Sequence, residues 1–516
     1  MNSPFLRAVN VKKMLALNLV LALLYFVGII FLFQRGNAYL YAILVFGEIF
    51  HVWQLVTLVH VAWDTNLEHP FDKSFNAPID IYITVAGEPL SVVQKTVEAA
   101  TRINYPSYHV YILNDGFVAK KQNWREMEEL AAMYDPQLVT CITRTEPGGA
   151  KAGNINHALR RTSAPFVAIL DCDHIPTKSF LKSMAGYFVD HKVAFVQSPQ
   201  YYRNHRESYV ANAAWQQQLL FFGPICRGKD RTNSLFMCGT NMLIRREALD
   251  ELGGMRQESI TEDLLTALYL HAHGWRSVYV PNILARGLAP EDLGSYWQQQ
   301  FRWARGSLEV LFRHNPLTLR GLNFQQRVQY LASVTYYLTG VVVLADALLP
   351  LFYFYGNYIP ISSATLAIAL IFVPYLFITL YLLQLISSFA FSFRAIAISI
   401  ASWPIYTVAL IVTLLRIPSG FKITSKERVG GSYLRLASLH ILYIIAIFVG
   451  IGYSAWRYGF SSSLITNASW GLLYVVMFLP FIRAAMSDRM AEKLPYDSMD
   501  MPAEKLQIPL EELRNG

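Results

Sequence analysis

The sequence predicts an α/β domain with a mostly parallel sheet, inserted into an α-helical transmembrane domain of about six spans plus interfacial helices. Hydrophobic residues make up 53% of the 516 residues and charged residues only 16%, which is too apolar for a soluble enzyme of two or three domains. Long apolar segments lie near both ends of the chain, whereas short apolar runs alternate with helical patterns in the middle. We therefore divide the chain into an N-terminal transmembrane hairpin (1–70), a cytosolic α/β domain that ends in an interfacial helix (71–316), a C-terminal transmembrane region (317–487) and a cytosolic tail (488–516).

The first two apolar segments, Leu15–Phe33 and Ala38–Val61, each approach or exceed the about 20 residues that cross a bilayer. The link Arg35–Asn37 is short enough for a hairpin. A cleavable signal peptide is the alternative for the first segment, but it lacks a small-residue cleavage site and the second segment follows at once. The other predicted spans are Tyr330–Tyr355, Ala364–Ile386, Leu436–Tyr453 and Trp470–Phe481.

The apolar stretch Ala395–Leu415 is long enough to be a seventh span. A span there would place the basic residues Lys422, Lys426, Arg428 and Arg435 on the side of the membrane opposite to the α/β domain, against the positive-inside tendency. We therefore expect this stretch to lie in the interface or to re-enter the membrane. Six spans then leave the α/β domain, both termini and these basic residues in the cytoplasm.

Short apolar runs predict the strands of the α/β domain, and the helical patterns between them predict parallel pairing. The runs are Ile79–Val85, Val110–Leu113, Leu138–Thr143, Phe166–Leu170 and Val193–Gln197.

The formal net charge of +8 suits contact with anionic membrane lipids and attraction of an anionic substrate. Nucleic acid is a poor alternative, because the basic residues cluster at predicted membrane borders and no recognised nucleic-acid motif occurs. The cysteines, whose spacing matches neither a CxxC motif nor a metal site, are expected to be reduced thiols. They are Cys141, Cys172, Cys226 and Cys238.

A pair of acids, Asp171 and Asp173, follows the apolar run that ends at Leu170. In an extended strand, residues two apart leave the same face, where two carboxylates can share one divalent cation. Such a cation would neutralise a departing diphosphate, so we expect a nucleotide-sugar as ligand. Alone the pair is weak evidence, since two acids at a strand end are more often loop caps or solvated charges.

Two further segments can meet a nucleotide. Asp115 follows another apolar strand, at the edge where open sheets bind ligands, although Asn114–Gly116 by itself reads as an ordinary turn. The glycine-rich segment Gly148–Asn154 precedes a helix, where free backbone donors and the Lys151 ammonium can hold phosphate.

Asp263 is the candidate general base. Thr261 can cap a helix that runs through Leu264 to His273 and stops near Gly274, which fixes the direction of Asp263. Acids at a helix start commonly serve only the helix dipole, and this alternative holds unless Asp263 faces a pocket. A carboxylate within hydrogen-bond reach of a sugar hydroxyl can accept its proton.

Gln299, Arg302 and Trp303 occupy positions i, i+3 and i+4 of the predicted helix Tyr296–Phe312 and so share one face. The guanidinium suits phosphate oxygens, and the indole offers a flat apolar surface on which a sugar ring can stack. An amphipathic helix at the membrane surface is compatible with this role.

Together, these motifs resemble, in order and spacing, the processive membrane glycosyltransferases of family 2, and in particular the bacterial cellulose synthases. Phe236–Asn241 is similar to the acceptor-contacting Phe-Cys-Gly segment of that family, and Val196–Gln200 to its Val-Gln-Thr-Pro-His. Phe421–Lys426 is similar to its gating-loop motif FxVTxK. Departures occur at Val85–Pro89, where the family has an aromatic residue and asparagine before the glutamate, and at Gln200, where it has histidine.

The resemblance implies a GT-A type fold for the cytosolic domain, a channel formed by the C-terminal membrane region, and a gating loop within 417–433. It also implies a role for each matching residue. Asp263 would be the catalytic base. Glu88, Asp115, Lys151, Asp171, Gln299 and Arg302 would bind the nucleotide-sugar. Trp303, Cys238, Gly239, Thr240 and Glu262 would contact the acceptor. Phe421, Thr424 and Lys426 would belong to the gating loop. Asp171 and Asp173 would hold Mg²⁺ or Mn²⁺. Tyr330, Tyr336 and Tyr337 are candidates for stacking on sugar rings in the channel.

The implied function is polymerisation of a β-glucan, taken as β-1,4 linked, from UDP-glucose with inversion at the anomeric carbon, and its secretion through the channel. Other β-linked polymers (a β-1,3-glucan, a mannan or an amino-sugar polymer), a non-processive lipid-linked transferase, and a transporter that only senses nucleotides remain alternatives. The expected partners are the UDP-sugar donor, the growing polysaccharide, membrane lipids and a periplasmic or accessory export subunit. The expected location is the bacterial inner membrane. Since few residues follow the last predicted span, we expect no PilZ domain and no control by cyclic diguanylate through this chain.

Overall fold

The computed structural model describes residues 10–65, 67–362, 365–387, 393–417 and 432–486. The predicted gating-loop residues Phe421, Thr424 and Lys426 and the predicted tail 488–516 lie outside the described residues.

Helices form most of the described chain. They are α1 Val11–Val27, α2 Ala38–Ala62, α3 Leu90–Ala100, α4 Glu126–Ala132, α5 Ala150–Leu159, α6 Lys182–Ala185, α7 Tyr209–Leu220, α8 Cys226–Arg231, α9 Arg246–Glu251, α10 Glu262–Ala272, α11 Leu293–Arg313, α12 Phe324–Thr335, α13 Thr339–Gly356, α14 Thr365–Ile386, α15 Phe393–Ala401, α16 Trp403–Leu414, α17 Ser438–Tyr458 and α18 Ser462–Met486. The strands are β1 Gln34–Arg35, β2 Ile79–Val85, β3 Tyr108–Asn114, β4 Val139–Thr143, β5 Phe166–Asp171, β6 Ile175–Pro176, β7 Val193–Gln197, β8 Tyr201–Tyr202, β9 Met242–Arg245, β10 Arg276–Tyr279, β11 Ala285–Gly287 and β12 Ile361–Ser362.

The α/β domain is built on a seven-stranded sheet in the order β10-β7-β9-β5-β2-β3-β4. The neighbouring pairs are parallel except those of β9, which runs antiparallel to β5 and β7. The predicted mostly parallel sheet is therefore confirmed. Thr84 pairs with Asp171 and Val85 with Asn114, so β2, β3 and β5 end at the same edge of the sheet.

Both faces of this sheet are buried. Ile81 and Ile83 of β2 belong to the core beneath α3 and α4, while Tyr82 packs with α5 on the other face. A third core joins α10 and α11 to the membrane helices, for example through Leu265 and Tyr406. The start of α10 and the α11 face, which carry two of the motifs, are thereby packed against the membrane helices.

Seven helices in the described part of the chain are long and apolar enough to cross a membrane, by length and composition. They include the six predicted spans and Phe393–Leu414. The last span is longer than predicted, because α18 already begins at Ser462. Polar side chains in its first turns, such as Thr466 and Asn467, bond to carbonyl groups four residues earlier, which lets them remain within the helix.

The start of α2 and the end of α13 are tied together by backbone hydrogen bonds. The predicted hairpin link forms β1, which pairs with β12 in the loop after α13. Gly36 donates its N–H to Pro360 O at 3.0 Å, and a side chain on Gly36 would collide with the backbone of Ile359. The start of α2 and the end of α13 therefore lie at the same level.

The stretch Phe393–Leu414 is broken at Ser402 into α15 and α16, each shorter than the about 20 residues of a span. It packs both on the membrane helices α13 and α18 and on α7 and α11 of the α/β domain. Tyr406 donates a 3.0 Å hydrogen bond to Gln300 of α11, and Gln217 of α7 donates one of 2.6 Å to Ser399. These contacts support the expected interfacial position, and the count of six spans stays a prediction.

Candidate active site

A cavity of about 970 Å³ lies at the carboxyl edge of the sheet, between the sheet and α11. It is lined by residues from motifs that are far apart in sequence. The predicted site residues in its wall are Glu88, Asp115, Lys151, Asp171, Asp173, Cys238, Gly239, Glu262, Asp263, Gln299, Arg302 and Trp303. Among the described site residues only Thr240 is not in this wall.

Thr240 lies behind the wall. It is fully buried, and its hydroxyl accepts the Asp171 N–H at 2.8 Å and donates to Asn241 at 3.1 Å. The expected direct contact with an acceptor is therefore corrected to a supporting role, in which Thr240 holds the end of β5. The sequence did not predict this supporting role, because Thr240 and β5 are far apart in the chain and are brought together only by the folding of the sheet.

Three ligand atoms of Asp171, Asp173 and His174 lie within 4.8 Å of one another. The expected strand geometry is wrong in detail, since β5 ends at Asp171 and the next two residues form a turn. That turn, closed by a 3.0 Å bond from His174 N–H to Asp171 O, brings the carboxylates together. His174 was missed, although it directly follows the pair.

This group fits a divalent cation. Asp173 is fully buried and accepts the Leu288 N–H at 2.9 Å, which fixes its direction. Neither ring nitrogen of the buried His174 has a hydrogen-bond partner among the described residues, and a side chain on Gly287 would collide with its ring. An imidazole ligand favours Mn²⁺ over Mg²⁺, which prefers oxygen ligands. Both ions bind carboxylate oxygens, so the two acids suit either ion.

Lys151 lies in the first turn of α5, where Gly148 and Gly149 take positive φ angles of 129° and 65°. Its ammonium donates to Asp171 and, at 2.7 Å, to the carbonyl of Gly239. Burial alone would lower the pKa of Lys151, but the nearby carboxylates, Asp171 first, raise it above its usual value. A fixed cation therefore lies beside the candidate metal-binding acids, at a helix N-terminus that favours anions.

The Asp115 carboxylate is held by an arginine that the sequence analysis missed. Arg144 donates to both oxygens at 2.6 Å, and also to the carbonyl groups of Gly148 and Ala150. Arg144 is buried, so the pair is a bidentate ion pair that joins the end of β3 to the glycine-rich turn.

Asp263 lies in the first turn of α10 and faces the cavity. Thr261 does not cap this helix with its side chain as expected, because its hydroxyl pairs with Ser259 at 3.2 Å. Asp263 instead accepts the Leu264 N–H at 2.8 Å. Burial raises the pKa of Asp263 to about 6, and burial followed by the charge of Asp263 raises the pKa of Glu262 to about 7. A carboxyl whose pKa is raised toward neutrality suits a group that accepts a proton from a substrate hydroxyl.

The face of α11 predicted from its spacing borders the cavity through Gln299, Arg302 and Trp303. The intervening Gln300 points to the other side, where it accepts from Tyr406. The buried carbonyl oxygen of Gln299 has no partner among the described residues, which marks it as an acceptor for a ligand.

Cys238 and Gly239 form another part of the cavity wall. Gln197 and Gln200 fix this wall, since Cys238 N–H donates to Gln197 at 2.9 Å and Gln200 donates to Cys238 O at 2.6 Å. Burial raises the pKa of the Cys238 thiol well above its usual value, so it remains neutral and is a contact surface, not a nucleophile. A Cβ on Gly239 would lie 3.1 Å from the Asp263 carboxylate, so this wall and the candidate base are in close contact.

Of the tyrosines proposed for the channel, Tyr330 is corrected. It is fully buried, and its hydroxyl pairs with His271 at 2.8 Å, so it cannot stack on a sugar ring. Tyr336 and Tyr337 form an aromatic group with Tyr406 on the side of α11 away from the cavity.

Two family models match the chain. Residues 77–306 match the family model described as Glycosyltransferase like family 2, and residues 250–404 match the model described as Cellulose synthase. The two matches overlap across α10 and α11, which carry Asp263 and Arg302.

Curated relatives agree with these family models. The chain is 38% identical over 291 residues to the cellulose synthase catalytic subunit of Xanthomonas axonopodis pv. citri, covering 54% of this chain and 39% of that protein. It is 32% identical over 492 residues to cellulose synthase 2 of Novacetimonas hansenii, covering 90% of this chain and 30% of that protein. The chain thus spans less than half of the length of these relatives. A solved mannosyltransferase from Pyrobaculum calidifontis, in complex with GDP-Man and Mn²⁺, is 16% identical with a TM-score of 0.47 and covers 73% of this chain and 100% of that chain.

Proposed function

We propose that this chain, which matches the overlapping family models of glycosyltransferase family 2 and cellulose synthase, is a processive inverting glycosyltransferase that builds a β-1,4-glucan from UDP-glucose. The observation that carries the proposal is the single cavity in which metal-binding acids, a fixed lysine, a candidate base and the Gln299–Trp303 face meet. Its position against the membrane helices supports export of the product through them.

The donor would lie along the carboxyl edge of the sheet. Arg144 holds Asp115 and the glycine-rich turn in place for the nucleotide, with Glu88 at the same end of the cavity. Lys151 and Arg302 would neutralise the diphosphate. Asp171, Asp173 and His174 would hold Mg²⁺ or Mn²⁺, which supplies positive charge to the leaving group when bound.

The reaction would be a single displacement. Asp263 accepts the proton of the acceptor hydroxyl, the hydroxyl oxygen bonds to the anomeric carbon, and the bond from that carbon to the diphosphate oxygen breaks. The electron pair of the broken bond leaves with UDP, and the configuration changes from α to β. Trp303 would stack on the acceptor ring, and Cys238, Gly239 and Glu262 would line its path.

The protein would lie in the bacterial inner membrane with the α/β domain in the cytoplasm. Its partners would be the UDP-sugar, the growing glucan, membrane lipids and an export subunit on the periplasmic side. The gating-loop residues proposed from sequence, Phe421, Thr424 and Lys426, lie outside the described residues.

The test is synthesis by purified protein in lipid vesicles, supplied with labelled UDP- and GDP-sugars and with Mg²⁺ or Mn²⁺. We expect polymer from UDP-glucose that a β-1,4-specific glycosidase digests, and no polymer after chelation of the metal. Use of another donor, or formation of another linkage, would correct the proposed substrate or product. Absence of UDP release with every donor would refute the proposed enzymatic activity.

The variant that tests the proposed base is Asp263→Asn. It should abolish polymer formation and leave the affinity for UDP within a few-fold of that of the wild type. Asp250→Asn changes an exposed acid on α9 in the same way and should leave synthesis unchanged. Polymer formation by the Asp263→Asn protein would remove Asp263 from the role of base.

A further inference from the structure

Two acids and a histidine lie inside the membrane domain, remote from the active site. Glu48 and His51 belong to α2, and Asp346 belongs to α13, which packs against α2. The imidazole lies between the acids: Nδ1 is 3.8 Å from Glu48 and Nε2 is 3.8 Å from Asp346. Ionisable groups within membrane helices are costly and are usually functional.

The depth of this cluster follows from the helix ends. Glu48 is ten residues from the start of α2 and Asp346 ten residues from the end of α13, so each lies about 15 Å from that end at 1.5 Å per residue. Asn37 N–H donates to Ile359 O at 2.8 Å, so the two ends are at one level. The cluster therefore lies near the centre of a hydrocarbon layer about 30 Å thick.

The helix packing is built to hold the Asp346 carboxylate. Gly47 lies opposite to it, and a Cβ at that position would be only 2.8 Å from the carboxylate oxygen. The side chains of Glu48 and Asp346 are 11% and 13% exposed, whereas that of His51 is 38% exposed, so the two acids are shielded and the imidazole is the more accessible member of the cluster.

The cluster contains two acidic side chains and only one basic side chain. Neither Ala38–Ala62 nor Thr339–Gly356 contains a lysine or arginine. The groups that face the acids from α1, α14 and α18 are the phenols of Tyr25, Tyr375 and Tyr474, with Tyr443 of α17 beside Tyr474. The basic residues at the inner end of α2, Lys229 and Arg231, meet His60, twelve residues or about 18 Å away.

We propose that Glu48, His51 and Asp346 form a proton-binding site within the membrane. Each ring nitrogen lies 3.8 Å from a carboxylate oxygen, which is ion-pair distance and longer than a hydrogen bond, so a doubly protonated imidazole is attracted to both acids. Two carboxylates and one imidazolium still leave one negative charge in a layer of low dielectric constant, so one further proton is shared by the acids. The site binds this proton while it holds α2 against α13.

Infrared difference spectroscopy of the protein in lipid nanodiscs tests the site, because it detects the carbonyl stretch of protonated carboxyl groups. At neutral pH the wild type should show a protonated carboxyl band that is reduced in Glu48→Gln and in Asp346→Asn. Asp250→Asn is the control for an exposed acid, and Glu262→Gln identifies the separate band from the active site. Equal bands in the wild type and in both membrane variants would overturn the proposal, and would indicate that a cation or the exported polymer balances the charge.

His51→Gln should change the protonated carboxyl band in the direction opposite to Glu48→Gln and Asp346→Asn. Loss of folding cannot produce such an increase. Removing the imidazolium leaves two carboxylates without a cation, so the protonated carboxyl band should increase. An unchanged or reduced band would contradict the shared-proton arrangement. The measurement needs neither donor nor polymer, so its outcome is independent of the proposed synthase activity.

Discussion

Asp263 and Glu262 are adjacent buried acids whose pKa values are both raised toward neutrality. The pKa of Asp263 is about 6 and that of Glu262 about 7, mainly because both are buried. A base must be ionised to accept a proton, so the form of Asp263 that is competent in the proposed reaction is populated above about pH 6 and lost below it. Since the two groups are adjacent, their protons are released as a coupled pair.

We predict that kcat at saturating donor falls on the acidic side of about pH 6, and that Lys151→Met moves this limb to higher pH. The Lys151 ammonium lowers the pKa of Asp263, so removing its charge makes the carboxyl harder to ionise. Lys151→Arg keeps the charge and should leave the limb near its original position, although either variant can change KM. An identical limb in Lys151→Met and in the wild type would show that Asp263 does not control the profile.

The site residues that were predicted from the sequence belong to short local motifs, whereas Arg144, which was missed, does not. Asp171 and Asp173 are two positions apart, and Gln299, Arg302 and Trp303 share one helical face, so local spacing was sufficient. Arg144 reaches Asp115 because Thr143 of β4 pairs with Asn114 of β3, and that register is set by the sheet.

At the scale of elements, the close packing of α11 on the start of α10 aligns the proposed base with Arg302 and Trp303. Gly306 of α11 allows this approach, since a Cβ there would lie 2.5 Å from Thr261 Oγ1. The glycine therefore sets the distance between the two helices that carry the proposed chemistry.

We predict that Gly306→Ala destabilises the fold by about 1–3 kcal/mol through overpacking. It should also reduce kcat by about 10- to 100-fold, because displacement of a catalytic group by about 1 Å has effects of this size. The free energy of unfolding from chemical denaturation and steady-state kinetics in vesicles measure the two effects.

Gly452→Ala is the matched control, since this glycine lies within α17 and a Cβ would meet nothing within 4 Å. It should leave kcat unchanged. Equal kinetics for the two alanine variants would show that the spacing of α10 and α11 does not limit the reaction.

The elements also show where sequence patterns fail. The bounds of β2 and β7 were predicted correctly, because Pro78 and Lys192 precede these runs and Ala86-Gly87 and Ser198-Pro199 follow them. β9 and β10 were not predicted, since four residues such as Met242–Arg245 give no distinct periodicity. β9 exists as a strand because it fills the antiparallel position between β5 and β7.

At the scale of the whole molecule, the position of Phe393–Leu414 decides the topology. Composition allows seven spans, whereas the break at Ser402 and the contacts with α7 and α11 favour six. With six spans, the segment before α17 lies on the same side as the α/β domain. With seven spans, that segment and the C-terminus both lie on the side opposite to the α/β domain, and the basic residue Arg435 lies outside.

We predict that Ser432→Cys is labelled by a membrane-impermeant maleimide only in inside-out vesicles, whereas Ser362→Cys is labelled in intact spheroplasts. Both serines are exposed, and mass spectrometry of the labelled peptides separates them from the native cysteines. The reason is that α15 and α16 rest against α7 and α11, and so return the chain to the side of the α/β domain before α17 crosses. Labelling of Ser432→Cys in intact spheroplasts would make Phe393–Leu414 a true span, and would separate the proposed gating loop from the active site by the full width of the membrane.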